Sequence, residues 1–282
     1  MNFLLNFGVL LGTLYAARVE AFQNPIRKPG PDPSVVFANG FYHLIDMDSR
    51  TYTSYDHIEI TRSKTLGGLL NGETKTIWTD KNTTRNANMW APEIHRIDTV
   101  WHMFYSSCDS SLPCCDSCHT RVLRGCNKAT PFDCTYTHLA DLVPPTGSQG
   151  GPKSDFAFSI DGTYLEIPGK GRYHVLSIIN KDRLQSIAIT KLDTTKWTVD
   201  GWHVISVPDQ PWEKNTTNSN PNSITAVNEA PHNAFHATSN PKGSCGTDRF
   251  TLAQKVTFKP NNSPQFGIPQ PLSAVLQPPS GE

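Results

Sequence analysis

Four carboxylates stand at corresponding places in a repeated pattern of short segments. Asp32, Glu93 and Asp161 precede or open three predicted β-hairpins, and Glu229 stands at the start of a degenerate fourth copy. Carboxylates that meet at one site can act as a general acid and a general base. Asp32 and Asp161 directly precede a proline and a glycine, however, and such residues also form turns. The local sequence alone favours turns, so the case for catalysis depends on how the hairpins are arranged.

The three hairpins are marked by β-rich runs on either side of short turn segments. Asn39-Gly40 between two such runs is the clearest hairpin signal in the chain. The predicted strand pairs cover residues 34–38 with 41–45, 93–97 with 100–105, and 162–167 with 172–177. Each second strand contains an aromatic residue, a histidine and an aliphatic residue in a row. We expect these histidines, which are His43, His102 and His174, to pack inside the fold rather than bind ligands.

Repetition of short hairpins, without a long helical pattern, predicts an all-β repeat fold built from small antiparallel sheets. A β-propeller fits this description, because its blades are four-stranded sheets placed around a central channel. The innermost strand of each blade runs along that channel. Carboxylates at the starts of these strands are therefore expected to meet at the mouth of the channel, although they are far apart in sequence.

The charge balance argues against two classes of partner. The chain has 282 residues, with 25 Lys+Arg against 25 Asp+Glu and a pI near 7.1. This composition predicts no binding to nucleic acid or to an anionic membrane surface. The sequence also contains neither a Gly-x-Ser-x-Gly motif nor a Walker-type phosphate loop.

The first segment is apolar and ends in Val19-Glu20-Ala21, which is typical of a secretory signal peptide covering residues 1–21. The alternatives are a buried N-terminal helix or a membrane anchor, although the apolar run is short for a membrane span. Three Asn-x-Ser/Thr sequons, at Asn82, Asn215 and Asn261, are consistent with glycosylation during secretion.

Six of the seven cysteines fall between Cys108 and Cys134, and the seventh is Cys245. In a secreted chain this clustering predicts up to three disulfides that close one long loop, with the pairing left open. The competing interpretation is a zinc site, since Cys115, Cys118 and His119 have the spacing of zinc ligands. Cys245 is expected either to be free or to pair with the cluster.

Several motifs in order resemble glycoside hydrolase family 43, the type of secreted fungal arabinofuranosidases and xylosidases. The resemblance covers roughly residues 24–250. It includes the segment 24–36 around Asp32, the run Asn88-Met-Trp-Ala-Pro-Glu-Ile-His95, the run Ser159-Ile-Asp161-Gly-Thr163 and the run Val227-Asn-Glu229-Ala-Pro231.

The resemblance implies a five-bladed β-propeller and an inverting glycosidase. Asp32 would be the general base that activates water, and Glu229 the general acid that protonates the leaving oxygen. Asp161 would hold the acid in place and raise its pKa, since a nearby negative charge disfavours ionisation. Trp90 is the predicted apolar platform for the sugar, with a core tryptophan as the alternative. Gln185 is a further polar candidate for substrate binding.

The last part of the chain departs from the family pattern. Ala230 stands where the family usually has glycine, and the Gly-His-x-x-Phe motif of the last blade is absent. We therefore expect residues 22–260 to form a five-bladed propeller whose last blade is incomplete, followed by an irregular Pro-rich tail at 261–282. The chain could be a divergent but complete protein or a truncated product. The truncated alternative is favoured and predicts exposed sheet edges and an inactive chain.

The predicted function is that of a secreted, extracellular α-L-arabinofuranosidase acting on plant cell-wall polysaccharide such as arabinan or arabinoxylan. The alternatives are a β-xylosidase or an endo-arabinanase of the same family, or a non-catalytic carbohydrate-binding propeller. We expect a monomer that needs no cofactor and has no catalytic metal. A structural Ca²⁺ is left open as an alternative, and the sequence assigns no residues to it.

Overall fold

The computed structural model describes residues 21–47, 56–112, 117–151, 158–179, 184–207, 232–238, 249–261, 263–265 and 270–278. Most of this part of the chain forms short antiparallel strands, with two 3₁₀ helices at Gly67–Asn71 and Pro131–Asp133. Within the described residues, no helix has the length and apolar character to cross a lipid bilayer. The predicted signal peptide lies outside the described residues, apart from its last position.

Three consecutive sheets make up the first part of the fold, and their strands follow chain order except that β13 of the third sheet pairs with β11. The first contains β1 (Ser34–Ala38), β2 (Phe41–Met47), β3 (His57–Ser63) and β4 (Glu73–Thr79). The second contains β5 (Ala87–Ile97), β6 (Val100–Cys108), β7 (His119–Arg124) and β8 (Thr137–Asp141). The third contains β9 (Ser159–Ile167), β10 (Gly171–Ile179), β11 (Gln185–Asp193), β12 (Thr198–Val199) and β13 (His203–Ser206).

Two smaller sheets follow in the described part of the chain. One pairs β14 (His232–Thr238) with β15 (Arg249–Lys255), and the other pairs β16 (Thr257–Phe258) with β17 (Pro264–Gln265). The tail is thus not wholly irregular, because β17 lies within it and Leu276 forms an antiparallel bridge with Phe22.

All three predicted hairpins are confirmed as β1–β2, β5–β6 and β9–β10. Two details of the prediction are wrong. Asp161 does not precede its strand, because β9 begins at Ser159. Glu93 does not open its strand, because β5 begins at Ala87 and contains two irregularities in its pairing with β6, one on each side of Trp90. These irregularities lengthen β5 beyond the regular alternation that sequence patterns detect.

Apolar layers join neighbouring sheets. Ile45, Ile60 and Met103 belong to a fully buried cluster between the first and second sheets. Phe104 and Leu192 belong to another between the second and third. The first strands also contact one another, since β1 packs against β5 and β5 against β9. Successive sheets that meet through their first strands form a β-propeller.

The start of the described chain is paired with β15. Ile26 donates its N–H to the carbonyl of Thr251 at 2.9 Å, and Thr251 donates to the carbonyl of Arg27 at 3.0 Å. The Arg27 side chain then reaches the first sheet, where its Nε lies 3.0 Å from Asp46 Oδ2. We call residues 22–30 the closing segment. It pairs with β15 through Arg249 and Thr251, so this strand has a backbone partner besides β14. The expectation of exposed sheet edges in a truncated chain stays a prediction.

The three triplet histidines pack inside the fold, as predicted. His43 and His174 are fully buried, and His102 is 4% exposed. His174 stacks on Phe104 with ring centroids 5.7 Å apart. Burial lowers the pKa of His43 and of His102 to about 4, and that of His174 to about 3. These imidazoles are therefore neutral packing groups in the folded protein near pH 7.

Candidate active site

Asp32 stands two residues before β1 and is held by an arginine from the other end of the fold. Nη1 of Arg249, the first residue of β15, donates to Asp32 Oδ1 at 3.0 Å. The side chains are 22% exposed for Asp32 and 10% exposed for Arg249. A charge-assisted hydrogen bond of this kind fixes the orientation of a carboxylate. Sequence reasoning missed Arg249, because a separation of 217 positions along the chain leaves no local signal.

The closing segment brings this pair together. The N–H of Gly30 donates to the carbonyl of Arg249 at 3.1 Å, and Thr251 Oγ1 donates to the carbonyl of Gly30 at 2.8 Å. A Cβ added at Gly30 would lie 2.4 Å from Thr251 Oγ1. Glycine therefore leaves room for the side chains of Thr251 and Arg27 beside this backbone. These contacts place Asp32, two residues later, beside the start of β15.

Asp161 occupies a bulge near the start of β9. Thr163 pairs with Val175, and Ile160 pairs with Ser177. The two β9 residues in between, Asp161 and Gly162, therefore stand opposite one β10 residue, Leu176. Asp161 also donates its backbone N–H to Ser106 Oγ at 3.2 Å, and Ser106 on β6 is fully buried. A bulge changes the direction of the side chain that it contains. Here the hydrogen bond to Ser106 of the second sheet fixes the backbone of the bulge.

Gly162 keeps the bulge tight against the core. A Cβ at this position would lie 2.2 Å from Cε1 of the buried His174 and 2.9 Å from Thr120 Oγ1. Atoms this close would overlap, so the packing allows only glycine unless His174 moves. The Gly-Thr pair after Asp161 in the sequence thus reflects a contact with β10 as well as a turn.

Trp90 lies next to the same serine. It is the β5 partner of Ser106 on β6, so Trp90 and Asp161 both flank Ser106. Its partly buried ring packs against the Cys108–Cys118 disulfide. A partly exposed ring suits the predicted sugar platform better than a fully buried core tryptophan would.

Gln185 is placed differently from the other candidates. It opens β11 and is 8% exposed, and its Nε2 donates to Ser177 Oγ on β10 at 2.6 Å. This bond ties two neighbouring strands of the third sheet together. The structure therefore gives Gln185 a structural contact, and its role in substrate binding stays a prediction.

Left-handed backbone recurs near the starts of the three first strands. Asp32 has φ 47°, Ala91 has φ 43° and Asp161 has φ 53°. This conformation costs an L-residue roughly 1–2 kcal/mol, with aspartate more tolerant than alanine. Strain of this kind concentrates at functional sites. Because the first strands of a propeller run in one direction along the channel, we expect the three residues at the same mouth, and their convergence stays a prediction.

The remaining predicted carboxylates are only partly accounted for. Glu93 lies in β5 with a 12% exposed side chain, and its Oε2 is 3.1 Å from Nε2 of His95. Glu229 lies outside the described residues, so its place at this mouth stays a prediction.

The cysteines form two disulfides in the described residues, Cys108–Cys118 and Cys126–Cys134. Because Cys118 is in a disulfide, its thiolate does not serve the zinc site considered above. Among the described residues, no group of three or more His, Cys, Asp or Glu side chains could hold a metal ion. Cys114, Cys115 and Cys245 lie outside the described residues.

Comparison with known proteins gives a consistent result. The model of "Glycosyl hydrolases family 43" matches residues 22–234. An extracellular exo-α-(1→5)-L-arabinofuranosidase of Streptomyces avermitilis is 29% identical over 71% of this chain and 39% of that protein. α-L-Arabinofuranosidase B of Pyricularia oryzae is 28% identical over 69% of this chain and 38% of that protein. The chain thus matches less than two fifths of the length of these curated relatives.

The fold is also found among solved structures. An α-L-arabinofuranosidase from Lactobacillus brevis superposes with a TM-score of 0.70 at 18% identity, covering 90% of this chain and 98% of that one. An exo-1,5-α-L-arabinanase from a bovine ruminal metagenomic library gives a TM-score of 0.55 at 10% identity, covering 88% of this chain and 100% of that one. At such identities the likeness concerns the fold, which is a five-bladed β-propeller.

Proposed function

Because this chain belongs to family 43 of the glycosyl hydrolases, we propose that it removes terminal α-L-arabinofuranosyl residues from plant cell-wall polysaccharide with inversion of configuration. The observation that carries the proposal is the placing of Asp32 and Asp161. Both have left-handed backbone at the starts of first strands, and a separate long-range contact fixes each of them. Two relatives named as arabinofuranosidases support the choice of sugar.

Asp32 is the proposed general base. It takes a proton from a water molecule whose oxygen bonds to the anomeric carbon from the face opposite the leaving group. The bond from Arg249 orients the carboxylate that accepts this proton. Asp32 is 22% exposed, which leaves it open to water.

Glu229 is the proposed general acid. It donates its proton to the glycosidic oxygen while the bond from that oxygen to the anomeric carbon breaks. An inverting enzyme keeps its two carboxyl groups about 6.5–9.5 Å apart, which leaves room for the water. Asp161 is the proposed positioning residue for this acid, and Trp90 is the proposed platform under the sugar ring.

Matched variants separate these roles. Asp32→Asn should abolish hydrolysis of every substrate, because each needs an activated water. Glu229→Gln should lose much more activity on polysaccharide than on an aryl arabinofuranoside with a good leaving group, which needs no protonation. If both variants lose the same factor on both substrates, the assignment of base and acid is wrong.

The stereochemistry and the sugar need their own assays. Proton NMR during hydrolysis of an aryl α-L-arabinofuranoside should show the β-anomer of arabinose first, and an initial α-anomer would contradict inversion. Aryl arabinofuranoside and aryl xyloside tested in parallel decide between the proposed activity and a β-xylosidase. Binding of oligosaccharide without release of reducing sugar would instead favour a non-catalytic propeller.

We also propose that the protein acts outside the cell. The apolar segment at 1–21 and the three sequons support secretion, as do the two disulfides, which persist in oxidising compartments. The Streptomyces avermitilis relative is named as extracellular. Expression of the full chain in a secreting eukaryotic host should release a protein that begins near Phe22, and retention of residues 1–21 would contradict a signal peptide.

A further inference from the structure

The sequon at Asn82 lies in the connection between β4 and β5. Asn82, Thr83 and Thr84 are all exposed. Asn82 Oδ1 accepts hydrogen bonds from the backbone N–H of Thr84 at 3.1 Å and from Thr84 Oγ1 at 3.0 Å. These bonds engage the oxygen of the Asn82 amide, while its Nδ2 makes no hydrogen bond with the described residues. The nitrogen that would carry a glycan is thus presented to solvent.

The same connection is fixed to the second sheet. The carbonyl of Thr83 accepts the N–H of Ser110 at 2.9 Å, and the carbonyl of Thr84 accepts Nη2 of Arg121 at 2.9 Å. Arg121 is 3% exposed, so its end of the second bond is anchored in the core. The position of Asn82 is therefore set by the sheet on which the candidate site is built.

This position is at the mouth that holds the candidate site. The connection leads directly into Ala87, which pairs with Cys108, and the Cys108–Cys118 disulfide packs against Trp90. Because β5 is a first strand and begins at this mouth, the residues that precede it lie on the same face of the propeller. A group attached to Asn82 would thus stand on the face of the propeller on which the candidate site is proposed.

We propose that Asn82 carries an N-linked oligosaccharide, and that this glycan stands at the rim of the candidate active site and hinders the approach of long polysaccharides. The proposal rests on the proposed secretion and hydrolase activity. In the attachment step, Nδ2 forms a bond to the anomeric carbon of a lipid-linked oligosaccharide pyrophosphate. The bond from that carbon to the pyrophosphate oxygen breaks, the lipid pyrophosphate leaves, and Nδ2 loses one proton to a base.

The test uses the full chain secreted from a glycosylating eukaryotic host. Asn215→Gln and Asn261→Gln are introduced together, so that Asn82 is the only remaining sequon. Intact-mass measurement should then show one oligosaccharide, which Asn82→Gln and Thr84→Val each remove and Thr84→Ser keeps. A secreted chain without that added mass overturns the proposal. Failure of secretion is seen separately, as absence of the protein from the medium.

Activity measurements on the same proteins test whether the glycan stands at the rim of the candidate active site. Asn82→Gln should raise the ratio of kcat/KM on polysaccharide to kcat/KM on an aryl arabinofuranoside, with the value for the small substrate unchanged. Enzymatic removal of the glycan from the Asn82-only protein should raise the ratio equally. An unchanged ratio in both experiments overturns the rim position. Absence of hydrolysis of the aryl substrate in every form would instead count against the proposed function.

Discussion

Mild acid should destabilise this protein well before its carboxylates titrate, because its core contains neutral histidines. Burial lowers the pKa of His43, His102 and His119 to about 4, and that of His174 to about 3. In the unfolded chain each would titrate near 6.5. Between about pH 6.5 and pH 4 the unfolded state therefore binds more protons than the folded state, and stability falls as the pH is lowered.

The magnitude follows from the size of these shifts. For one histidine whose pKa drops from 6.5 to about 4, linkage gives a loss of about 1.2 kcal/mol between pH 7 and pH 5.5. Four such groups set an upper limit of about 5 kcal/mol. His43 and His102 have almost no exposed surface but lie nearer to solvent than His174, which weakens the desolvation of their charged forms, so we expect about 3 kcal/mol. This is a large share of the ~5–15 kcal/mol by which folded domains are stable.

Urea unfolding followed by tryptophan fluorescence at several pH values measures the effect. His174→Leu should reduce the pH dependence by about 1 kcal/mol over this range, whatever it does to stability at pH 7. His203→Leu, at an exposed position on β13, is the matched control and should leave the dependence unchanged. A total change below about 1 kcal/mol between pH 7 and pH 5.5 would refute the argument that these imidazoles are buried and neutral.

Three further substitutions test the candidate site. Gly162→Ala should lower the unfolding free energy by about 1–3 kcal/mol, because the added methyl group overpacks against His174, and it should also lower kcat. A melting temperature and an activity that both match the wild type would contradict this contact. Arg249→Met should lower kcat/KM about tenfold to a hundredfold, which corresponds to the loss of a charge-assisted hydrogen bond of about 1.5–3 kcal/mol. Arg249→Lys should restore part of this activity. Full activity of Arg249→Met would mean that other groups orient Asp32. Trp90→Ala should raise KM for an aryl arabinofuranoside about twofold to tenfold, and an unchanged KM would assign the ring to packing alone.

Local signals predicted the parts of the fold that are made locally. Asn39-Gly40 and Asp98-Thr99 close their hairpins at the expected residues, because a turn of two residues fixes the register of its strands. The histidines at the repeated positions were correctly expected to be packing residues. Seven cysteines, by contrast, allow many pairings, and only the backbone geometry selects Cys108 with Cys118 and Cys126 with Cys134.

The parts that could not be predicted depend on distant contacts. Arg249 reaches Asp32 only because the closing segment pairs with β15, and nothing in the sequence around either residue indicates this. The left-handed backbone of Ala91 could not be inferred either, since alanine disfavours that conformation. Glu93 was misplaced as a strand opener for a related reason, because irregular pairing extends β5 towards the N-terminus.

The pairing of the closing segment with β15 has a consequence for the order in which the molecule matures. The proposed base comes from the beginning of the chain, and the arginine that orients it is made more than two hundred residues later. The first three sheets can form from local hairpins while the rest is still being synthesised. The bond between Asp32 and Arg249 can form only after the closing segment has paired with β15, and such long-range pairing is slow. We therefore expect the proposed activity to appear last during refolding, after the first three sheets have formed.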